Sequence, residues 1–343
     1  MTAGEMTKQW VLAKRPEGVP TPECFELVDT QLPPLEEGQV RLKTHYFSVD
    51  PGMRGRLSGD SYAAALPLGA VVESAGIGEV VESRSPRFAE GDMVMGGLGW
   101  TEALVHADRG LQKLDPAMFD DKVRITATIG VLGVPGLTAW FGLQDLGRPK
   151  TGETLLVSSA AGPVGATAGQ IGKTLGLHVV GIAGGSDKCA YVKDLGFDAV
   201  INYKATDHLG RAIGEACPEG VDIYFDNVGG EMLDTAIGKM RGHGRIVISG
   251  QIAEYNALKP RGIRNTTQFI THRLSMAGLV VYDYARQFGE AQQAMAQMIR
   301  DGQLNYSEDI TDGIEGAPQA FIGLFGGLNF GRRLIHTCLG GHS

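Results

Sequence analysis

The sequence of 343 residues lacks several features that would point away from a globular enzyme. Its four cysteines lie far apart without a C-x-x-C pair, which argues against a disulfide framework and a structural zinc cluster. It has no run of about 18 apolar residues, and its start lacks the apolar core of a secretory signal. We therefore expect reduced thiols, no membrane span and a cytoplasmic location.

Basic residues are outnumbered and scattered. The chain has 31 Lys and Arg against 39 Asp and Glu, which gives a formal net charge of −8. Nucleic acid and anionic membranes are bound by clustered cations, so we expect neither as a partner. The hydrophobic content of 43% fits a globular enzyme, and the length suits two domains, each with its own core.

Glycine is abundant, and its most informative cluster lies in residues 154–175, TLLVSSAAGPVGATAGQIGKTL. Residues 154–158 form an apolar run typical of a buried parallel strand. Gly162 and Gly165 then allow a tight turn that can approach a pyrophosphate. The apolar residues that follow recur at helical spacing and predict a helix with one face on a sheet: Val164, Ala168, Ile171 and Leu175.

This turn is weak evidence by itself, because Ala160 stands where the usual G-x-G-x-x-G has its first glycine. The alternative is a tight turn that binds nothing. Strand-prone runs with helical patterns between most of them favour the dinucleotide interpretation; they are residues 178–183, 199–203, 221–228, 244–249 and 275–281. This alternation predicts the α/β class, with a doubly wound parallel sheet.

The end of the second strand indicates which nicotinamide cofactor is preferred. NAD-binding folds place Asp or Glu about 20 residues after the turn, where it holds the ribose 2′-hydroxyl and would repel a 2′-phosphate. Here Gly184 and Gly185 end the strand, and Ser186, Asp187 and Lys188 follow. A hydroxyl, a helix start and a cation suit a phosphomonoester, so NADP is favoured over NAD. Asp187 is interpreted as a first-turn acid that complements the helix dipole, and the alternative for Lys188 is an ordinary solvated lysine.

The first part of the chain has a different pattern. Up to about residue 127, short strand-like runs are separated by Gly and Pro, at 39–47, 70–83, 92–97 and 102–106. This pattern predicts a compact β-rich domain. A last strand-like run, 331–339, either returns to this first domain or extends its edge.

Several motifs together resemble the medium-chain dehydrogenase/reductases. Within them the chain is most similar to the zinc-independent branch that contains leukotriene B4 dehydrogenase, prostaglandin reductases, plant alkenal double-bond reductases and bacterial curcumin reductase. The motifs cover nearly the whole chain: SVDPGMRGR (48–56), GVPGLTAWFGL (133–143), AAGPVG (160–165), the GGSDK run, KDLGFDAVINYK (193–204), FDNVGGEMLD (225–234), GRIVISGQIAEYN (244–256) and GGLNFGRRL (326–334).

The resemblance implies an organisation into three parts. Residues 1–128 would form a GroES-like substrate and catalytic domain, and residues 129–302 a Rossmann NADP-binding domain. Residues 303–343 would return to the catalytic domain. The relatives also suggest a homodimer.

The resemblance further implies which residues contact NADPH. Residues of the glycine turn would lie under the pyrophosphate: Gly162, Pro163, Val164 and Gly165. Lys188 and Tyr203 would flank the adenosine 2′-phosphate, beside the Ser186 hydroxyl that the residues themselves favour. Residues lining the nicotinamide half would be Asn227, Ser249, Gly250, Tyr255, Leu279, Val280 and Val281, with Asn329 closing over the cofactor. The alternative for Asn227 is a plain turn after a buried strand.

Zinc-dependent relatives have a Cys near Ser48 and a Gly-His-Glu near Gly69 as ligands of a catalytic metal. This chain has Ser-Val-Asp and Gly-Ala-Val there, so no thiolate or imidazole ligand remains at either place. His45 and His106 are isolated in strand-like runs and are interpreted as making local hydrogen bonds. We therefore expect no metal.

A nicotinamide without a metal can still reduce a carbon that is already electrophilic, such as the β-carbon of an α,β-unsaturated ketone or aldehyde. The resulting enolate needs one or two hydrogen-bond donors and a proton on its α-carbon. The resemblance makes Tyr255 the first candidate donor, and the alternative is an aromatic that only packs on the cofactor. Tyr62, in the loop SGDSYAAALP, is the second. Gly52 replaces a tyrosine found in most relatives, which would change the pocket.

The leading hypothesis is therefore an NADPH-dependent, metal-free reductase of enones or alkenals that acts on a small molecule. The nearest enzymatic alternative is an NADPH:quinone oxidoreductase, which uses the same hydride donor. A third hypothesis, from another class, is a protein that binds NADPH without turnover.

Overall fold

The structure is a computed structural model that describes residues 5–59, 63–259 and 261–337. The chain divides into two compact units. One is formed by the chain up to Ile129 together with residues 308–329 and the chain from Arg333 onward, and the other by residues 130–307 and 330–332.

The described strands follow the chain in this order: β1 (Met6–Leu12), β2 (Phe25–Gln31), β3 (Gln39–Ser48), β4 (Ala75–Ser83), β5 (Met93–Gly97), β6 (Ala103–Ala107), β7 (Gln112–Lys113), β8 (Thr154–Val157), β9 (His178–Ala183), β10 (Ala199–Asn202), β11 (Val221–Asp226), β12 (Met240–Ile248), β13 (Ser275–Gly278), β14 (Glu308–Asp312) and β15 (Arg332–His336).

The described α-helices are α1 (Met53–Ser58), α2 (Val134–Phe141), α3 (Pro163–Thr174), α4 (Ser186–Asp194), α5 (Leu209–Ala216), α6 (Gly230–Ile237), α7 (Thr267–Thr271), α8 (Phe288–Arg300) and α9 (Ala317–Phe325). None of these described helices combines the length and the apolar character that crossing a bilayer requires.

The first unit is built on an antiparallel sheet with the strand order β14-β15-β3-β4-β5-β7, and β6 also pairs with β3. Its core is aromatic. Trp100 is fully buried, with its ring centre 5.4 Å from that of Phe25 and 6.0 Å from that of Phe321 on α9. The last strand, β15, pairs antiparallel with β3, so the end of the described chain lies in this sheet.

The predicted strand 70–83 is too long at its start. β4 begins at Ala75, and the residues before it follow β1 instead: the Leu12 amide donates to the Ala70 carbonyl at 3.0 Å, and the Val72 amide to the Trp10 carbonyl at 3.0 Å. The sequence pattern missed this change of partner because β1 and β2, which form their own antiparallel pair, were not predicted.

The second unit is built on a parallel sheet with the strand order β10-β9-β8-β11-β12-β13. Helices lie on both faces, which explains why β8 and β11 are buried along their whole length. Two apolar cores result, one containing Leu155, Val157 and Phe225 and the other Leu156 and Tyr224. The predicted α/β fold, with a β-rich first part and a doubly wound parallel sheet, is confirmed.

The buried face of α3 has the predicted helical spacing of apolar residues, except at the C-terminal end of the helix. Ala168 and Ile171 are buried on the sheet, and Val164 packs against the same core. Leu175 is 38% exposed, because α3 ends at Thr174 and Leu175 is its C-cap. The prediction that Leu175 packs on the sheet was wrong, since it assumed one more helical residue.

Candidate functional site

The turn between β8 and α3 joins a buried strand end to a helix start. Ser159 has φ = 50°, Gly162 is the N-cap of α3, and Pro163 is its first residue. The first amides of a helix lack partners within it, so they are suited to an anion. A Cβ on Gly165 would lie 2.4 Å from the Ser159 carbonyl oxygen. Only glycine fits there, as expected of a turn that approaches a pyrophosphate.

The carboxyl ends of β9 and β10 form a second corner of the site. A Cβ on Gly184 would lie 2.7 Å from the ring of Tyr203, so the glycine allows the ring to pack directly on the strand end. The Asn202 side chain accepts a hydrogen bond from the Gly185 amide at 3.0 Å and fixes the start of the next helix. Gly184 and Gly185 at this strand end therefore carry no carboxylate, and the Tyr203 ring packs there.

Helix α4 starts at this corner and carries the predicted phosphate-binding groups. Ser186 is its first residue, and its hydroxyl donates to the Asp187 carboxylate at 3.0 Å. Lys188 is in the first turn, with Nζ 5.8 Å from the centre of the Phe330 ring. Phe330 also packs edge-on against Tyr191, and burial raises the pKa of that tyrosine to about 12. The hydroxyl and the ammonium group thus share the helix start beside the β9–β10 corner.

Gly331 lies against the glycine turn, a contact that the sequence did not predict. The Gly331 amide donates to the Ala161 carbonyl at 3.2 Å, and the Arg332 amide donates to the Ser307 carbonyl at 2.9 Å. Gly331 has φ = 59°, and a Cβ there would lie 2.1 Å from the Ser307 carbonyl oxygen. Asn329 directly precedes this segment, and its contact with the cofactor stays a prediction.

Three of the predicted nicotinamide residues lie together at the carboxyl ends of β11 and β12, beside the end of β8: Asn227, Ser249 and Gly250. Asn227 donates through Nδ2 to the Ser158 carbonyl at 2.8 Å, and its Oδ1 accepts the Ser249 hydroxyl at 2.6 Å. The amides of Ser249 and Gly250 both donate to the Asp226 carbonyl, at 2.9 and 3.2 Å. The side chain of Asn227 is therefore held from two sides, which is more than a plain turn requires.

Tyr255 lies at the same strand ends. The segment that carries it folds back, and the Ala253 amide donates to the Val228 carbonyl at 3.0 Å. The half-buried Tyr255 accepts the Gln251 amide on its hydroxyl at 3.2 Å, and this hydroxyl lies 3.4 Å from where a Cβ on Gly250 would be. A hydroxyl that accepts one hydrogen bond becomes a stronger donor to the next partner.

The predicted strand 275–281 is wrong at its end. β13 stops at Gly278, although the Leu279 amide still donates to the Ile248 carbonyl at 3.0 Å. An edge strand pairs only as far as its single neighbour, and β12 ends at Ile248. Val280 is 41% exposed, and Val281 is buried at the start of a 3₁₀ segment, so these two residues leave the sheet.

Three further residues from the sequence analysis or its motifs remain to be described: Tyr62, Gly52 and Arg54. Tyr62 lies outside the described residues, so its role as the second donor stays a prediction. Gly52 is the N-cap of α1, and among the described residues no atom lies within 4 Å of a Cβ built there. Arg54 is buried and donates to the Gly18 and Pro16 carbonyls, which is a structural role.

Ser48 and the two isolated histidines, His45 and His106, make local contacts. The Ser48 hydroxyl donates to the Asp50 carboxylate at 2.6 Å. His45 Nε2 lies 3.2 Å from the Glu79 carboxylate, and His106 Nδ1 lies 2.6 Å from the next carbonyl along the chain. Within the described ranges, no group of three or more His, Cys, Asp or Glu side chains could hold a metal ion.

Comparison with known proteins identifies both parts of the chain. Residues 8–114 match the family model described as the N-terminal domain of oxidoreductase, and residues 163–300 match the one described as zinc-binding dehydrogenase. The chain is 42% identical to the NADPH-dependent curcumin reductase of Escherichia coli over 97% of each chain. It is 36% identical to the NADP-dependent 2-alkenal reductase of Nicotiana tabacum over 96% of each. The solved structure of CurA from Vibrio vulnificus in complex with NADPH has a TM-score of 0.91 and 38% identity, covering 97% of this chain and 100% of CurA.

The parallel sheet, its glycine turn and these relatives together define an NADP-dependent oxidoreductase. The chain belongs to the medium-chain dehydrogenase/reductase family, in the branch of curcumin reductase, prostaglandin reductase 1 and 2-alkenal reductase. The predicted family, enzyme class and cofactor are confirmed.

Proposed function

We propose that this protein uses NADPH to reduce the C=C bond of α,β-unsaturated ketones or aldehydes by hydride addition to the β-carbon. The observation that carries the proposal is the Tyr255 hydroxyl beside Gly250, next to the Asn227–Ser249 pair. The curcumin, 2-alkenal and (+)-pulegone reductases, which match at 36–42% identity, support the substrate class.

The residues at the strand ends fit NADPH. The turn at Gly162 and Gly165, with the intervening Pro163 and Val164, would hold the pyrophosphate at the start of α3. Ser186, Lys188 and Tyr203 would hold the 2′-phosphate. The nicotinamide half would be lined by a larger set: Asn227, Ser249, Gly250, Tyr255, Leu279, Val280, Val281 and Asn329.

The proposed chemistry is an addition followed by a protonation. When bound, NADPH supplies the hydride that forms the new C–H bond at the β-carbon. The Tyr255 hydroxyl donates a hydrogen bond to the carbonyl oxygen as negative charge develops there, and the Gln251 amide holds this hydroxyl from behind. The α-carbon then takes a proton from a side chain or water. Tyr62 is the proposed second donor.

Lys188→Ala is expected to test the 2′-phosphate site. A charge-assisted hydrogen bond contributes ~1.5–3 kcal/mol, so Kd for NADPH should rise about 10- to 100-fold. Kd for NADH should stay nearly unchanged, because NADH has no 2′-phosphate. Fluorescence titration measures both. Lys193→Ala, in the last turn of the same helix, is the matched control and should bind both cofactors like the wild type. Equal losses for NADPH and NADH would contradict the assignment.

The substrate class is tested with NADPH and three groups of electrophiles: crotonaldehyde and methyl vinyl ketone, butanal and cyclohexanone, and menadione. We expect NADPH oxidation with the first pair and a saturated carbonyl product by mass spectrometry. Reduction of cyclohexanone with the enone untouched would overturn the proposal. A preference for menadione would favour the quinone oxidoreductase, and tight NADPH binding without oxidation would favour the non-catalytic protein.

Two expectations concern substrate range and assembly. Gly52, in place of the tyrosine of most relatives, would change the size or orientation of the substrate that is accepted. The homodimer stays a prediction.

A further inference from the structure

Asp226 is a buried carboxylate that the proposed chemistry does not use. It is the last residue of β11 and has no exposed surface. Its oxygens accept hydrogen bonds from the Val228 amide at 3.0 Å and the Gly229 amide at 3.1 Å. They also accept the Tyr224 hydroxyl at 2.8 Å and the Ser158 hydroxyl at 3.0 Å. Four donors thus converge on one side chain.

This cluster has the composition expected around an ionised carboxylate. All four partners donate, and an ionised carboxylate only accepts. Burial raises the pKa of Asp226, while the hydrogen bonds from the Gly229 and Val228 amides and the hydroxyls oppose that effect. The pKa of Tyr224 is also raised, by burial and by the neighbouring carboxylate. The tyrosine therefore remains a neutral donor to Asp226.

The network extends from Asp226 to the proposed nicotinamide residues. Ser158, directly after β8, donates its hydroxyl to Asp226 and accepts the Asn227 amide at 2.9 Å. The Asp226 carbonyl accepts the Ser249 and Gly250 amides. One residue thus ties together the carboxyl ends of β8, β11 and β12. No comparable brace connects it to the β9–β10 corner among the hydrogen bonds described for this part of the chain.

We infer that Asp226 is a positioning residue for the nicotinamide half of the cofactor. Its carboxylate fixes the Asn227 turn through Ser158 and through the Val228 and Gly229 amides, and its carbonyl holds the Ser249–Gly250 backbone, so that the nicotinamide meets a preformed surface. The adenosine half lies on other strand ends and does not depend on it. This inference rests on the proposed location of the nicotinamide half.

The test uses a ligand that lacks the nicotinamide. Adenosine 2′,5′-bisphosphate carries the adenosine and the 2′-phosphate, so it probes the other half of the site alone. Asp226→Asn replaces one carboxylate oxygen by an amide N–H₂ group that faces the Gly229 amide. Two hydrogen-bond donors then point at each other, and neither has an acceptor there. We expect Kd for NADP⁺ to rise about tenfold, with Kd for the bisphosphate within about twofold of the wild type. Calorimetry measures both.

Asp222→Asn is the matched control. Asp222 is also buried on β11, but at the opposite end, where it accepts the Thr154 amide at 2.9 Å. Asp222→Asn should leave the ratio of the affinities for NADP⁺ and for the bisphosphate unchanged. Ser158→Ala is the second variant, since it removes the hydroxyl that links the Asp226 carboxylate to the Asn227 amide and leaves Asp226 itself in place. Ser158→Ala should also raise Kd for NADP⁺ more than Kd for the bisphosphate. It keeps the inference testable if Asp226→Asn does not fold.

Equal weakening of both ligands by Asp226→Asn and Ser158→Ala, or no weakening of either, would overturn the inference. The measurement needs no substrate, so it is independent of whether the wild type reduces enones. A wild type that fails with every enone while the affinity pattern holds would overturn the proposed function and retain Asp226 as the positioning residue.

Discussion

Tyr255→Phe is expected to lower kcat for an enone about 100-fold while Kd for NADPH changes less than about twofold. The substitution keeps the ring and removes only the hydroxyl that accepts the Gln251 amide. Loss of one donor to a developing oxyanion costs about 100- to 1,000-fold in kcat, because the donor acts mainly in the transition state. Steady-state kinetics with crotonaldehyde and a fluorescence titration with NADPH separate the two effects.

This substitution distinguishes the two interpretations of Tyr255. An aromatic that only packs on the cofactor would be replaced well by phenylalanine, and kcat would then stay near that of the wild type. Tyr282→Phe provides the control, because that side chain is 58% exposed on the 3₁₀ segment after β13. It should change neither kcat nor Kd. If Tyr255→Phe kept the full kcat of the wild type, Tyr255 would not be the hydrogen-bond donor in the proposed mechanism.

Local sequence patterns predicted the parts of the fold that depend on neighbours in the chain. The strand 178–183 was predicted at its observed bounds, His178–Ala183, because its apolar run ends in the glycines that turn the chain. The predicted end at residue 281 was wrong for a nonlocal reason. The length of β13 is set by where β12 stops, and the residues of β13 do not encode that.

The sequence yields candidate site residues where a single local motif would hold one group of the cofactor. Gly184 was interpreted only as a missing carboxylate, whereas the structure adds the Tyr203 ring packed against it. Asp226 and Ser158 were missed, although two signals pointed to them. Tyr224 and Asp226 are two apart on a strand and share a face, and Ser158 and Asp226 follow paired residues of β8 and β11, Val157 and Phe225. Recognising them required the strand order, which the sequence alone leaves undetermined.

Gly165→Ala is expected to have the largest effect on cofactor binding of any single methyl addition to the turn. The new Cβ would lie 2.4 Å from the Ser159 carbonyl oxygen and 2.9 Å from the Ala160 Cα, both backbone atoms that cannot rotate away. Relief requires the turn to move off the start of α3, which displaces the amides that would hold the pyrophosphate. We expect at least a 100-fold rise in Kd for NADPH, and overpacking should destabilise the fold by about 1–3 kcal/mol.

Two further alanine variants make the expectation quantitative. At Gly162 the nearest atoms to a new Cβ are the Ser159 hydroxyl at 3.2 Å and carbonyl at 3.3 Å, so a small shift suffices and the rise in Kd should be intermediate. Gly214, inside α5, would place its Cβ 3.5 Å from the flexible Lys239 ammonium, and alanine there should stabilise the helix by up to ~1 kcal/mol without changing Kd. Fluorescence titration ranks the three variants by Kd for NADPH, and thermal unfolding ranks them by stability. If Gly165→Ala bound NADPH as tightly as Gly214→Ala, the β8–α3 turn would not be the pyrophosphate site, because a displaced turn cannot keep its amides on the same phosphates.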